Sequence, residues 1–358
     1  MHLILPILLL SLCFPTVVHI PADYSTIQRG IDASLDGDTI LVETGIYTEN
    51  VNFNGKDIVV LSHFCYDESP DSTFLTSTII DGNNSGSVVT FESGESTETL
   101  LCGFTIQNGS ASNGGGIQID HASPHIKSNI IENNYAPKGG GIYKQKGRGE
   151  DIPTLIEANI VRNNSAGSSG NGGGIYINLA STVIYQNEIT GNSAKKGGGL
   201  YIVQANPELV DNKINSNTTT DKGSGVYMIR SNAKFINVEM TGNSGSGDYA
   251  AYIFCSNPHF VKTSIYDNSA GGVKLSCGDT EGFEASDISH QLSSIYNHFI
   301  SYPVFNSCYL SNIGTEIVGS PPGSFSNNFF NYIILMLMEG VPIHHIYSVK
   351  LAIQIQEI

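Results

Sequence analysis

Asp120 and His121 stand together in "QIDH", and 25 residues further on the chain writes "QKGRGED", from Gln145 to Asp151. If consecutive repeats lie side by side, Gln145 falls over Asp120 and Lys146 over His121, with Arg148, Glu150 and Asp151 beside them. Asp120, Glu150 and Asp151 offer hard carboxylate oxygens of the kind that hold Ca²⁺. Lys146 or Arg148, with His121 alongside, can then remove the proton alpha to a uronate carboxylate while the cation stabilises the developing charge. The plainer alternative is a solvated loop that mixes both signs of charge.

A second candidate is a stripe of aromatic residues. Tyr143, Tyr176, Tyr201, Tyr227 and Tyr252 each follow a Gly-rich or Ala-rich corner and an aliphatic residue. Aromatic faces in a line can carry sugar rings, and a contiguous exposed stripe marks a binding surface. Stacking that only stabilises the fold accounts for the same residues. No two carboxylates recur in register for glycoside hydrolysis. The Gly phrases repeat without alternating helices, and Gly55-Lys56 is followed by Asp57, so dinucleotide and P-loop chemistries are excluded. His19, His63, His125, His259, His290, His298, His344 and His345 have no metal-binding spacing.

The elements that must position these residues are written as three recurring phrases. Gly phrases begin at 114, 139, 172, 197 and 223, in steps of 25, 33, 25 and 26. Asn corners follow apolar residues in "IIENN", "IVRNN", "ITGNS", "INSNT", "MTGNS" and "IYDNS", and Pro corners lie between them in "SPHI", "IPTL", "NPEL" and "NPHF". Each unit reads as three short strands separated by corners, which makes one coil of about 25 residues. Stacked coils pair every strand with its counterpart about 4.8 Å away and enclose one apolar core. The expected fold is therefore an all-β, right-handed, single-stranded parallel β-helix, since left-handed forms favour six-residue steps. Strand alternation puts Ile142, Ile175, Leu200 and Val226 inside and the tyrosines outside. Gly supplies sharp corners, and Asn supplies left-handed corner geometry and an amide that can bond to the one in the next coil.

At the N-terminal end "DYSTIQRGIDASLDGDTILV" predicts a capping helix with Ser25 as N-cap and Ile27, Ile31 and Leu35 on its buried face, then a strand over Thr39 to Val42. Residues 1–18 read as an export leader, residues 19–315 as the β-helix with its cap, and residues 316–358 as an atypical tail or cap. No segment is long and apolar enough to span a membrane. Beyond the leader stand Cys65, Cys102, Cys255, Cys277 and Cys308, an odd number without zinc spacing. Cys255 and Cys277, 22 apart, stack in neighbouring coils as a disulfide or as two buried thiols. Only 14% of residues are charged and the net charge is -16, which excludes nucleic acid and anionic membrane surfaces as partners. An anionic polymer needs a bridging cation or a local basic patch.

The stretch from Ile20 to Phe53, together with the Gly and Asn phrases, resembles the pectate-lyase-like superfamily of secreted right-handed β-helix proteins, over roughly Ile20 to Asn312. The GGG-I repeats also resemble those of polymorphic outer-membrane adhesins. The resemblance implies fold and an extracellular polysaccharide setting, while lyases, esterases, hydrolases, epimerases and non-catalytic surface proteins all share such repeats. The Asn-Thr-Asp, Gly-His-Gly and Arg-Ile-Lys set of polygalacturonases is missing, as is the Gly-x-x-Asp-Phe of pectin methylesterases. "IDH" at Ile119 matches the Trp-Ile-Asp-His of pectate lyases without its Trp. The expected function is that of a secreted or cell-surface protein that binds extended polysaccharide or acts in adhesion without catalysis. The alternatives are a Ca²⁺-dependent uronate lyase and a passive structural spacer.

Overall fold

The computed structural model of the chain describes residues 15–67, 71–147, 152–246, 249–269 and 271–276, with the short strands Glu284–Ala285, Val304–Asn306 and Tyr309–Leu310. Each coil contributes one strand to each of three stacked sheets. Sheet I has eleven strands and begins with Val17–Ile20 and Thr39–Val42. Sheets II and III have ten each, and begin with Gly45–Thr48 and Val51–Asn52. Neighbouring strands run parallel throughout, except where Val273–Ser276 meets Glu284–Ala285. This is the expected parallel β-helix. The expected leader boundary at residue 18 falls inside its first strand.

The core follows from strand alternation. In sheet III, Ile117, Ile142, Ile175, Leu200 and Val226 pair in register and are fully buried. Each such burial contributes about 1.5 to 3 kcal/mol. Phe53 packs tilted against Phe91 at 4.3 Å and Phe235 stacks on Phe260 at 4.8 Å, so aromatic residues also occupy inward columns.

The corners are as ordered as the strands. Two ladders of asparagines, buried except for the half-buried Asn268, run along the solenoid: Asn129, Asn159, Asn187 and Asn212 at the corner between sheets I and II, and Asn134, Asn164, Asn192, Asn217, Asn243 and Asn268 after sheet II. Asn192 shows the pattern. Its Oδ1 accepts from both the backbone N and the Nδ2 of Asn164, at 3.0 Å each. Its own Nδ2 donates to Asn217 Oδ1 at 3.0 Å and to the Val161 carbonyl at 2.9 Å. A buried amide is tolerated because every donor and acceptor is used.

The Gly phrase packs between the second ladder and sheet III. Gly139 has φ 67°, and a Cβ there would stand 2.2 Å from the Ile142 carbonyl oxygen. Gly140 donates to Gly172 O, and a Cβ on it would meet Gly173 O at 2.5 Å. Glycine is required because the chain doubles back on itself and on the next coil at once.

A helix caps the first coil, with Ile27, Gly30 and Ile31 buried. Two expectations are corrected here. Thr26, not Ser25, is the N-cap of α1 (Ile27–Ala33), accepting from Arg29 N, while the Glu49 carboxylate takes the Ile27 and Gln28 amides at 2.9 Å each. Leu35 is 58% exposed, because Ser34 ends the helix in an extended conformation and turns the next residue outward.

A disulfide joins Cys65, on the short helix α2 (His63–Tyr66), to Cys102 of sheet I. Cys255 is also disulfide-bonded, so of its two expected states it is not a thiol. Cys277 and Cys308 lie outside the described residues.

Replacing Asn192 with Ala strips the second ladder of a link and leaves buried partners unsatisfied, at a cost of about 3 kcal/mol. Urea unfolding is expected to show a midpoint lowered accordingly; an unchanged midpoint contradicts the ladder's structural role. A second expectation concerns α2. His63 lies 3.0 Å from Glu43 and 3.2 Å from Asp67, and the hydrogen bond to Glu43, more than that to Asp67, raises its pKa. The stability it contributes is complete below the ordinary histidine value of about 6.5 and is lost as pH rises through the raised folded value. Thermal melts of His63→Asn against the unaltered chain are expected to lose this dependence.

Candidate functional site

The outer face of sheet III carries two columns of side chains. The first reads Gln118, Tyr143, Tyr176, Tyr201, Tyr227 and Tyr252, one per coil and in register. The second reads Asp120, Gln145, Asn178, Val203, Ile229 and Phe254. Register therefore places Gln145 beside Asp120, as expected.

The tyrosines form a continuous ring stack. Successive centroids are 5.5, 4.9, 5.1 and 5.4 Å apart, and the rings become nearly parallel toward Tyr252. Four of the five are no more than 9% exposed, Tyr201 being half-buried. The expectation of an open platform for sugar rings is corrected accordingly: in the middle of the stack both faces of each ring are taken by its neighbours.

The cover over the stack comes from a small fourth sheet, sheet IV, of strands Ser193–Lys196, Thr218–Lys222 and Ser244–Gly245, which lead into the Gly corners. Its Lys196 and Lys222 ammonium groups lie 5.2 and 4.7 Å from the centroids of Tyr227 and Tyr252, within cation–π range. Burial raises the phenol pKa of Tyr143, Tyr176, Tyr201 and Tyr227, that of Tyr176 to about 12.

At the Asp120 end the stack gives way to polar groups. His121, at φ 57°, turns the chain so that its Nδ1 lies 2.7 Å from Asp120 Oδ1. That oxygen is shielded from solvent and has no aligned hydrogen-bond donor, so the pair is a close polar contact rather than a formed hydrogen bond. Tyr143 donates its hydroxyl to Gln145 Oε1, which also accepts from Asn178 Nδ2 at 3.3 Å. After burial, the nearby Asp120 charge is the next cause of the raised Tyr143 pKa.

Lys146, expected over His121, donates its backbone N–H to Asn178 O, as Leu179, Gln204 and Arg230 do to the coils after them, and Gly147 packs closely on His121. Arg148, Glu150 and Asp151 lie outside the described residues. Among the described residues, no group of three or more metal-ligating side chains is gathered. Asp120 alone, set against His121, does not meet the six to eight oxygens Ca²⁺ requires.

Lys144 is the notable residue that sequence reasoning missed. It takes the inward position held by Ile119, Ile177, Ile202, Met228 and Ile253 in neighbouring coils, is 2% exposed, and donates to the Ala122 carbonyl behind the Asp120–His121 corner. The signal was present in "IYKQ": the alternation that sends Ile142 inward sends Lys144 with it.

Two overlapping stretches of the chain, residues 105–251 and 147–330, match the family model for the right-handed β-helix region, which agrees with the expected handedness and architecture. No curated protein sequence matches the chain. Among solved structures it is similar to a pectin methylesterase from carrot, at 14% identity over 88% of this chain and 89% of that one, with a TM-score of 0.38. It is also similar to an alginate lyase from a Paenibacillus strain, at 12% identity over 72% and 97%, TM-score 0.36. A third likeness is to the ORF18 protein of a Geobacillus virus, at 13% identity over 84% and 59%, TM-score 0.40, so the chain spans under two thirds of that protein. These likenesses carry no residue or activity over to this chain.

The tyrosine stack has a measurable pH dependence. A phenol whose folded pKa is raised stabilises the fold fully below the ordinary value of about 10, and that contribution falls as pH climbs through about 12. Spectroscopic titration of the chain against its Phe variants at Tyr143, Tyr176, Tyr201 and Tyr227 is expected to show these four ionising together with alkaline unfolding; their ionisation near pH ~10 in a folded chain contradicts the buried stack.

Proposed function

The chain belongs to the right-handed β-helix family, and from that premise we propose that it is an extracellular protein that binds extended polysaccharide along sheet III without cleaving it. The observation that carries this reading is the in-register row Asp120, Gln145 and Asn178 on three successive coils. The row offers a carboxylate and two amides at the coil repeat of about 4.8 Å, comparable to the length of one pyranose ring. Each group can pair with the hydroxyls of one sugar, while the tyrosine column beside it supplies a stiff backing rather than stacking faces. Recognition by repeated polar contacts on a preordered surface loses little conformational entropy on binding.

Several features support an extracellular setting. The Cys65–Cys102 disulfide, with Cys255 also bonded, suits an oxidising compartment. The leader reading of residues 1–18 points the same way. No helix among the described residues is long and apolar enough to cross a membrane. Adhesion at a cell surface or matrix is the role this proposal implies.

One observation favours a second reading, a uronate lyase. Asp120 and His121 are paired at 2.7 Å beside Tyr143, with Lys146 following Gln145 on the next coil. That group has base candidates, although Asp120 by itself does not build a Ca²⁺ site.

A glycan array, followed by titration calorimetry of the best oligosaccharide, separates the readings. Replacing Gln145 and Asn178 together with Ala is expected to weaken binding by about tenfold or more, from about 1 kcal/mol per lost hydrogen bond. Binding unaffected by the pair moves the site off sheet III. Unsaturated product accumulating from polygalacturonate or alginate, and stopped by chelator, replaces the binding reading with the lyase. No binding to any glycan leaves a structural spacer.

A further inference from the structure

The first asparagine ladder stops at Asn212. In each earlier coil the ladder asparagine accepts, through its Oδ1, from the backbone N of the asparagine before it, as Asn212 does from Asn187 at 2.9 Å. The next position is Val238, which has no acceptor to offer Asn212. At this break the corner between sheets I and II opens into a groove of about 380 Å³. Asn212 and Val238 form its floor. One wall is the corner column Asp211, Asn237 and Lys262, all at positive φ, and the other is the outward sheet II column Lys213, Glu239 and Ser264, with Tyr266 at the end.

The charges in this groove are unequally engaged. Asp211 Oδ1 accepts from Asn237 Nδ2 at 2.6 Å, and Glu239 accepts from the Tyr266 hydroxyl. Among the described residues, the ammonium groups of Lys213 and Lys262 have neither a hydrogen bond nor an ion pair, although Lys213 stands in register between Glu188 and Glu239. In a chain of net charge -16 the groove therefore holds two ammonium groups ready for an incoming anion, with hydroxyl and carboxylate partners around them.

We infer that this groove is a binding subsite for an acidic saccharide, a sugar ring bearing a carboxylate or sulfate. The anionic group sits between Lys213 and Lys262. The ring hydroxyls pair with Asp211, Glu239 and Ser264, and the apolar edge of the ring lies against Tyr266. The inference rests on the reading of the chain as a polysaccharide binder but uses a different surface from sheet III. The groove's two ammonium groups give an acidic sugar a point of attachment, while Asp211 and Glu239 keep the lining balanced in charge and leave acceptors for the ring hydroxyls.

The test is titration calorimetry of the full chain with three oligosaccharides of equal length: a galacturonate, a sulfated sugar and a neutral glucan. Lys213→Gln with Lys262→Gln, a surface change whose folding is checked by circular dichroism, is expected to weaken binding of the acidic ligands by about tenfold and to leave the glucan unchanged. Comparing galacturonate with the sulfated sugar identifies which anion the groove prefers. Acidic ligands bound equally by the double variant and the unaltered chain overturn the inference, as does an unaltered chain that binds none of them. Gln145→Ala with Asn178→Ala, measured alongside, keeps the two surfaces distinct: weakened binding in that variant alone upholds sheet III and rejects the groove.

Discussion

A buried asparagine amide can be kept at a corner only if another group of the right kind stands directly above it. That constraint organises the solenoid. Asn134, Asn164, Asn192, Asn217, Asn243 and Asn268 each satisfy the one before, and a shift of one residue between coils would orphan two donors and an acceptor at every step. Apolar columns alone would tolerate small slips, because aliphatic contacts are not directional. The ladders supply the direction, and the Gly corners let successive coils approach closely enough to use it.

Register then determines the surfaces. Because Tyr143 stands over Tyr176, and so on to Tyr252, five rings merge into one stack. Because Asp120, Gln145 and Asn178 share a row, polar groups repeat at the coil spacing on the face beside it. Where a ladder ends, at Val238, the surface changes character and a groove appears. On this account the functional surfaces follow the same repeat as the core.

The parts legible in the sequence are those that recur. The Gly, Asn and Tyr phrases revealed the coil length, the three sheets, the inward column from Ile142 to Val226 and the in-register tyrosines. The parts that were not legible depend on what lies beyond a single coil. Tyrosine exposure depends on sheet IV, whose Lys196 and Lys222 approach the stack from corner segments that show no apolar alternation. The Cys65–Cys102 bond depends on α2, a short insertion outside sheet I. Lys144 was legible, since the alternation of "IYKQ" that turns Ile142 inward turns Lys144 inward as well.

Amide hydrogen exchange, resolved by residue, tests the central claim most directly. If the corners are the frame that sets register, the backbone amides of Gly140, Gly173 and Gly198 and of the ladder asparagines exchange as slowly as those of the strands beside them. Fast exchange at these corners between protected strands would contradict it, and would mean that the sheets alone hold the coils in place.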